Sequence, residues 1–395
     1  MKASITLEVL APTTPEGATI YFTGSLNDWK EGDRAFAFTQ LEPGRYQLTL
    51  EVTKGAVVEY KLNRGNWTNV EVDDKGLEIE NRRLAVFGST TVRHEVPHWR
   101  DQATRPSPNR YRETDVRILG PIGMPVLGRD REVAVYLPPN YHKEPGRRFP
   151  VLYMWDGQNL FDPSTSFSGE WQVDLTADRL IREGKIEPVI IVGVYNGGSH
   201  RLSELSPWRD ARLDARGEGH AFMRWVVSDL KDYIDSNFRT QSGPEHTGVA
   251  GSSMGGLASL FAAYRYPLVF GRVACLSPAF WFARGQIFRY VASRLRPHGT
   301  KIYLDCGERE TARVHPKRDF YKVAYAMVDL LRQQGFKDGE DLRWVSDPQG
   351  THSEYYWARR MGPVLEYLFP GSGVPLDANA PSIEEEADPV ATPSA

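Results

Sequence analysis

The segment Gly251-Ser252-Ser253-Met254-Gly255-Gly256 constrains this chain more than any other. It fits the pattern G-x-S-x-G with Ser253 in the middle; Ser252 is a rival serine but lies off the central position. A short run, Thr247-Gly-Val-Ala250, leads in as a strand. Behind it Leu257, Leu260, Phe261 and Tyr264 recur at i, i+3, i+4 and i+7, the spacing of a helix face. A strand that turns straight into a helix puts the middle residue in strained backbone and lifts its hydroxyl above a sheet. Such a turn belongs to an α/β architecture. The runs Pro150-Val-Leu-Tyr-Met-Trp155 and 188–195 agree, since near-continuous apolar strands alternating with helices indicate a parallel sheet covered on both faces.

That pattern occupies residues 116–370 of the 395. Residues 1–93 read differently. Short runs rich in β-branched and aromatic residues (19–23, 46–52, 57–62) stand between Gly, Asn, Asp and Pro turns, which predicts a small all-β sandwich. Residues 94–115, with Pro97, Pro106 and Pro108, predict a linker, and 371–395, rich in Pro, Ala, Ser and Glu, a disordered acidic tail. With 48 basic and 51 acidic residues the net charge is −3, without the basic excess of a nucleic-acid partner. No apolar run approaches the roughly 18 residues of a membrane span. The N-terminus lacks a signal-peptide core, so the chain as given is expected in the cytoplasm. Cys275 and Cys306 read as buried small hydrophobes, with a single bridge as the alternative.

A serine nucleophile needs a base, and the base needs an orienting acid, in the chain order Ser, acid, His for this turn. Only His298, His315 and His352 follow Ser253. His352 is the candidate, because it opens a helix on the loop after the last predicted strand, 342–346. The acid is expected after the strand Lys301-Ile-Tyr-Leu-Asp-Cys306. Asp305 lies inside that strand and reads as structural; Glu308 and Glu310 remain, and pattern alone does not separate them. The N–H of Met254 is one expected oxyanion donor, and the loop Trp155-Asp-Gly-Gln-Asn159 supplies a second from Gly157 or Gln158. Asp156 is expected to brace that loop. No His, Cys or Asp cluster has metal-ligand spacing, so neither metal nor cofactor is expected.

These motifs together resemble the Putative esterase family, of the esterase D and feruloyl or acetylxylan esterase type. The carriers are Val151-Leu-Tyr-Met-Trp-Asp-Gly-Gln-Asn-Leu-Phe161, Arg201-Leu-Ser-Glu-Leu-Ser206, the serine turn, Leu304-Asp-Cys-Gly-Glu-Arg-Glu310 and Gly350-Thr-His352. The resemblance implies an α/β-hydrolase fold and a serine esterase of carbohydrate esters. It transfers the acid to Glu310, three residues after Gly307, and makes Trp281 and Trp357 resemble pocket-wall positions. The N-terminal region resembles a starch-binding module of carbohydrate-binding module family 20, on Gly24-Ser-Leu-Asn-Asp-Trp29, Glu59-Tyr-Lys-Leu62, Gly65-Asn-Trp67 and Asn81-Arg82. That implies sugar contacts at Trp29, Lys61 and Trp67, and starch or glycogen as a partner. Two other functions fit the sequence: an acyltransferase to a sugar hydroxyl, and a non-catalytic glycan-binding protein carrying a relic hydrolase domain.

Overall fold

The computed structural model describes residues 2–27, 29–66, 69–73, 79, 81–102, 114–166, 169–310 and 320–376. Nine strands build the N-terminal domain: β1 (Lys2–Leu10), β2 (Tyr21–Gly24), β3 (Thr39–Glu42), β4 (Arg45–Thr53), β5 (Val57–Asn63), β6 (Glu71–Val72), β7 (Arg82–Ala85), β8 (Thr90–Glu95) and β9 (His98–Trp99). They form sheets of order β3-β4-β1-β8 and β2-β5-β7, with β6 paired to β9. Alternation makes the sandwich. Ile5, Leu7 and Val9 of β1 meet Phe22 of β2 and Val58, Tyr60 and Leu62 of β5 in one core. The expected linker does not begin at residue 94. β8 continues to Glu95, and Trp99 is fully buried in the sandwich core, because its indole fills the interior that β6 and β9 close.

The second domain is an eight-stranded sheet of order β10-β11-β13-β12-β14-β15-β16-β17. Its strands are β10 (Asp115–Met124), β11 (Arg129–Leu137), β12 (Val151–Trp155), β13 (Ile190–Val194), β14 (Thr247–Ser252), β15 (Arg272–Leu276), β16 (Lys301–Gly307) and β17 (Leu342–Asp347). The first two are antiparallel to their neighbours, and the rest run parallel. Strand β12 shows why its sequence is apolar throughout. Val151, Tyr153 and Trp155 enter one core, Leu152 and Met154 the other. The helix Met254–Arg265 follows β14, and all of Met254–Tyr264 is buried. Its one-face periodicity therefore understated the burial, because Ala258, Ala262 and Ala263 let neighbouring elements close over the other side.

The expected tail also starts later than residue 371. Gly371 and Gly373 donate to Lys185 and Gly184, and Leu376 N–H donates to Arg182. The remainder of that tail, from 377, and linker residues 103–113 lie outside the described residues. Cys275 and Cys306 are both free and buried. Among the described residues, no helix is long and apolar enough to cross a membrane.

Candidate active site

Parallel β14, β15, β16 and β17 end at one edge of the sheet, and the loops leaving them carry the candidate groups. Ser253 follows β14 directly and adopts φ 52°, ψ −116°, a conformation that costs a non-glycine residue about 1–3 kcal/mol. Two neighbours hold it there. Its N–H donates to Leu276 O at 3.0 Å, and its carbonyl accepts from Ala279 N at 2.8 Å. Gly251 is required by packing, since a Cβ there would lie 2.7 Å from Trp155 Cδ1. Met254 is the first helical residue, so its N–H is among those without an intrahelical acceptor.

Glu310 is the acid that reaches His352: its Oε2 lies 2.8 Å from His352 Nδ1. Glu308 is exposed and instead accepts from Ser346 Oγ at 2.6 Å. The loops of Glu310 and His352 touch through Gly307, where a Cβ would meet Gly350 O at 2.2 Å. The other Glu310 oxygen accepts from Gly307 N at 2.9 Å and from the Ser277 hydroxyl. Burial pushes the Glu310 carboxyl up. The hydrogen bond and charge of His352, then Arg360 and Ser277, outweigh it and hold the group below the ordinary carboxylate value. His298 is exposed on a turn, and His315 lies outside the described residues.

Two residues that sequence reasoning missed organise this acid. Ser277, with φ 42°, receives Arg360 Nη2 at 2.7 Å and Trp357 Nε1 at 2.9 Å while donating to Glu310. Arg360 also binds Asp305 at 3.0 Å and Asp347 at 3.3 Å. Asp305 is fully buried in β16; burial, opposed by Arg360 and reinforced by Glu310, pushes its carboxyl up to about 6. The one available signal for Arg360 was its place eight residues after His352 on the helix Glu354–Leu368.

The second expected oxyanion loop is a tight turn, Gly157–Asn159, leaving β12. A Cβ on Gly157 would sit 2.4 Å from Gly193 C, so glycine is what lets this turn pack against the end of β13. Asp156 braces the turn: Arg201 grips it at 2.6 and 2.7 Å, and Asn196 Nδ2 donates at 2.6 Å. The Gln158 side chain accepts from Asn196 N–H at 3.1 Å.

Trp357 is buried, its ring edge-on to His352 at 4.9 Å and its Nε1 donating to Ser277 Oγ at 2.9 Å. Trp281 is part-exposed and packs on Phe320, which lies 4.1 Å from the His352 ring. In the sandwich, Trp29 sits in the turn after β2 with φ 60°. Lys61 is only 3% exposed, against an expectation that needs it open to a sugar; it projects from a face that is covered. Trp67 lies outside the described residues. Among the described residues no three His, Cys, Asp or Glu side chains are placed to hold a metal ion.

The family model described as Putative esterase matches residues 125–368, more than half of the chain. The endo-1,4-beta-xylanase/feruloyl esterase of Xylanibacter ruminicola is 29% identical over 250 residues, 61% of this chain and 30% of that protein. The alpha-amylase of Niallia circulans is 42% identical over 101 residues, 25% of this chain and 8% of that protein, and relates the N-terminal domain to amylase-type modules. The chain thus spans less than a third of either relative. The enterobactin esterase of Shigella flexneri shares the fold, with a TM-score of 0.54 at 16% identity over 92% of each chain.

Proposed function

Because this chain belongs to the Putative esterase family, and is a carboxylic ester hydrolase of α/β-hydrolase fold, we propose that it is a serine esterase acting on acyl esters of carbohydrates. The observation that carries the mechanism is the pairing of Glu310 with His352 at the sheet edge where Ser253 is held in strained backbone. With Nδ1–H donated to Glu310, the other ring nitrogen of His352 keeps its lone pair to accept the Ser253 proton. Ser253 Oγ attacks the ester carbonyl. The developing oxyanion is met by the Met254 N–H and by a backbone donor of Gly157 or Gln158, each such donor contributing roughly 2.7–4 kcal/mol. His352 returns its proton to the leaving alcohol, and an acyl-enzyme remains. Water, deprotonated by His352, then releases the acid.

The names of two relatives, a feruloyl esterase and an amylase, support an acyl group on a glycan alcohol. The rings of Trp281 and Phe320 beside His352 support a flat aromatic acyl group as one accepted class. The test compares wild type with Ser253→Ala on acetylated and feruloylated sugars and on 4-nitrophenyl acetate. The wild type should hydrolyse the sugar esters, and the variant should lose roughly 10⁶ of kcat on every ester. Unchanged hydrolysis by the variant would move the nucleophile elsewhere.

A further inference from the structure

Residues 276–279, where the chain leaves β15, touch both ends of the site. On one side they hold the backbone of Ser253. Leu276 O accepts from Ser253 N–H at 3.0 Å, and Ala279 N–H donates to Ser253 O at 2.8 Å. A Cβ on Gly256, in the helix behind Ser253, would lie 2.9 Å from Pro278 Cβ, so that helix packs against the same stretch. On the other side Ser277 Oγ lies 2.5 Å from Glu310 Oε1. Ser277 N–H donates to the Asp305 carbonyl at 2.9 Å and faces Asp305 Oδ1 at 3.2 Å, which ties the stretch to β16. One short segment therefore spans from the nucleophile to the acid.

The partners of Ser277 Oγ leave its proton one place to go. A hydroxyl has one hydrogen to give and two lone pairs. Arg360 Nη2 reaches it at 2.7 Å and Trp357 Nε1 at 2.9 Å. Guanidinium and indole nitrogens only donate, so these two occupy both lone pairs. The hydrogen is left for Glu310 Oε1, which accepts it. The same oxygen accepts from Gly307 N–H at 2.9 Å and has Arg360 Nη2 3.7 Å away. With Oε1 occupied, Oε2 is turned to His352 Nδ1 at 2.8 Å. The Trp357 ring, edge-on to His352, closes the loop from base to acid to Ser277 and back. Ser277, Glu310, Trp357 and Arg360 are all buried. A proton placed on Oε1 would face two donors, so these bonds favour the ionised acid.

We propose that Ser277 is a positioning residue of the reaction: its hydroxyl, forced to donate, occupies one oxygen of Glu310 and keeps the other aimed at His352 as an ionised acceptor. The proposal rests on the serine-esterase reading above. A consequence for pH follows. Burial raises the Glu310 carboxyl, while His352, Arg360 and then Ser277 pull it down. Activity needs Glu310 ionised and the second nitrogen of His352 free of a proton, so it fails on the acid side. Without the Ser277 donor the acid binds its proton more tightly, and that failure comes at a higher pH. The other groups around Glu310 are Asp305 and the Cys306 thiol of β16, both raised by burial, with Asp347 of β17 beyond Arg360. Asp305 is bound by Ser277 only through the backbone N–H, which alanine keeps, so removing the hydroxyl acts on Glu310.

The experiment uses the full chain and 4-nitrophenyl acetate, with kcat and KM measured across pH and the folded fraction followed by circular dichroism at each pH. In Ser277→Ala, kcat at its optimum should fall about tenfold, the scale of one charged hydrogen bond, with KM within about a factor of two. The acid limb of kcat/KM should move up by about one pH unit. Ser277→Cys keeps an atom in that place with a weaker donor, so its limb should lie between those of Ala and wild type. It carries the same test if the Ala variant does not fold. A folded variant whose acid limb stays at the wild-type pH, whatever its kcat, makes Ser277 structural only and overturns the proposal. A wild-type activity that does not depend on Ser253 is a separate result, and it breaks the esterase reading beneath.

Discussion

In the sandwich, Arg82 donates to both oxygens of buried Glu71, the shortest bond being 2.7 Å, and lies 2.9 Å from His94 Nδ1. His94 Nε2 reaches the Tyr60 hydroxyl. In the hydrolase domain, Glu310 meets His352 directly, and Arg360 stands behind the acid with its nearest nitrogen 3.7 Å away. The two clusters use the same three residue types in a different order. With the arginine between acid and histidine, His94 faces positive charge, and burial together with Arg82 drives it down to about 4. It stays neutral, both ring nitrogens are engaged, and it cannot take a proton at ordinary pH. With the acid between arginine and histidine, His352 meets a carboxylate held below its ordinary value, and in the proposed mechanism its second nitrogen acts as the base. Order around the histidine, and not composition, distinguishes the two clusters.

Exchanging the histidines gives the largest expected contrast. His352→Ala should lower kcat for 4-nitrophenyl acetate by about 10⁶, since it removes a member of a unit that acts together. His94→Ala should leave kcat within about a factor of three and act on stability instead, at a cost of about 1–3 kcal/mol for the donors left unmatched. Comparable activity losses from both would erase the distinction. The acid offers a sharper test within one loop. Glu310→Gln should cost about 10⁴ in kcat, as loss of an orienting carboxylate does. Glu308→Gln, two residues away and exposed, should change little. The reverse ranking in steady-state kinetics would place the orienting role on Glu308.

The serine turn was legible because one short segment carries its own strand, glycines and helix. That His352 would meet an acid on the loop after β16 was legible because both lie on loops at strand ends, where order along the chain predicts neighbours in space; the choice of Glu310 over Glu308 came only from the family resemblance. Ser277 and Arg360 were not legible, since their role arises only where the end of β15 meets the helix after His352. The sandwich's likeness to amylase-type modules was legible in its motifs, but what the side chains of those motifs do was not. In Gly24-Ser-Leu-Asn-Asp-Trp29, Asn27 spends its side chain on Gly24 N–H, Phe22 O and Lys30 O, and Ser25 pins the Glu59 backbone, so part of the motif builds the turn itself. Period-two alternation identifies the core face of a strand, but it cannot say whether the other face is also buried, as Thr23, Lys61 and Asn63 are here.

The smallest expected effects concern pH, and here the two clusters should pull in opposite directions. Asp305, beside Arg360 in the hydrolase domain, is raised from 3.8 to about 6. Its folded form holds the proton more tightly than the unfolded chain does, so its contribution is full below pH 3.8 and is lost as pH rises through about 6. His94 is lowered from 6.5 to about 4. Its contribution is full above pH 6.5 and is lost as pH falls through about 4. Over the shared window the first makes stability fall with rising pH and the second makes it rise. Asp305→Asn should therefore make the slope of Tm against pH more positive than wild type between pH 4 and 6. His94→Gln should make it less positive, by a smaller amount because His94 is less deeply buried. Thermal denaturation at half-unit pH steps measures both slopes. Slopes that shift in the same direction would show that the order of charges around each group does not set its stability, and the contrast between the two clusters would fail.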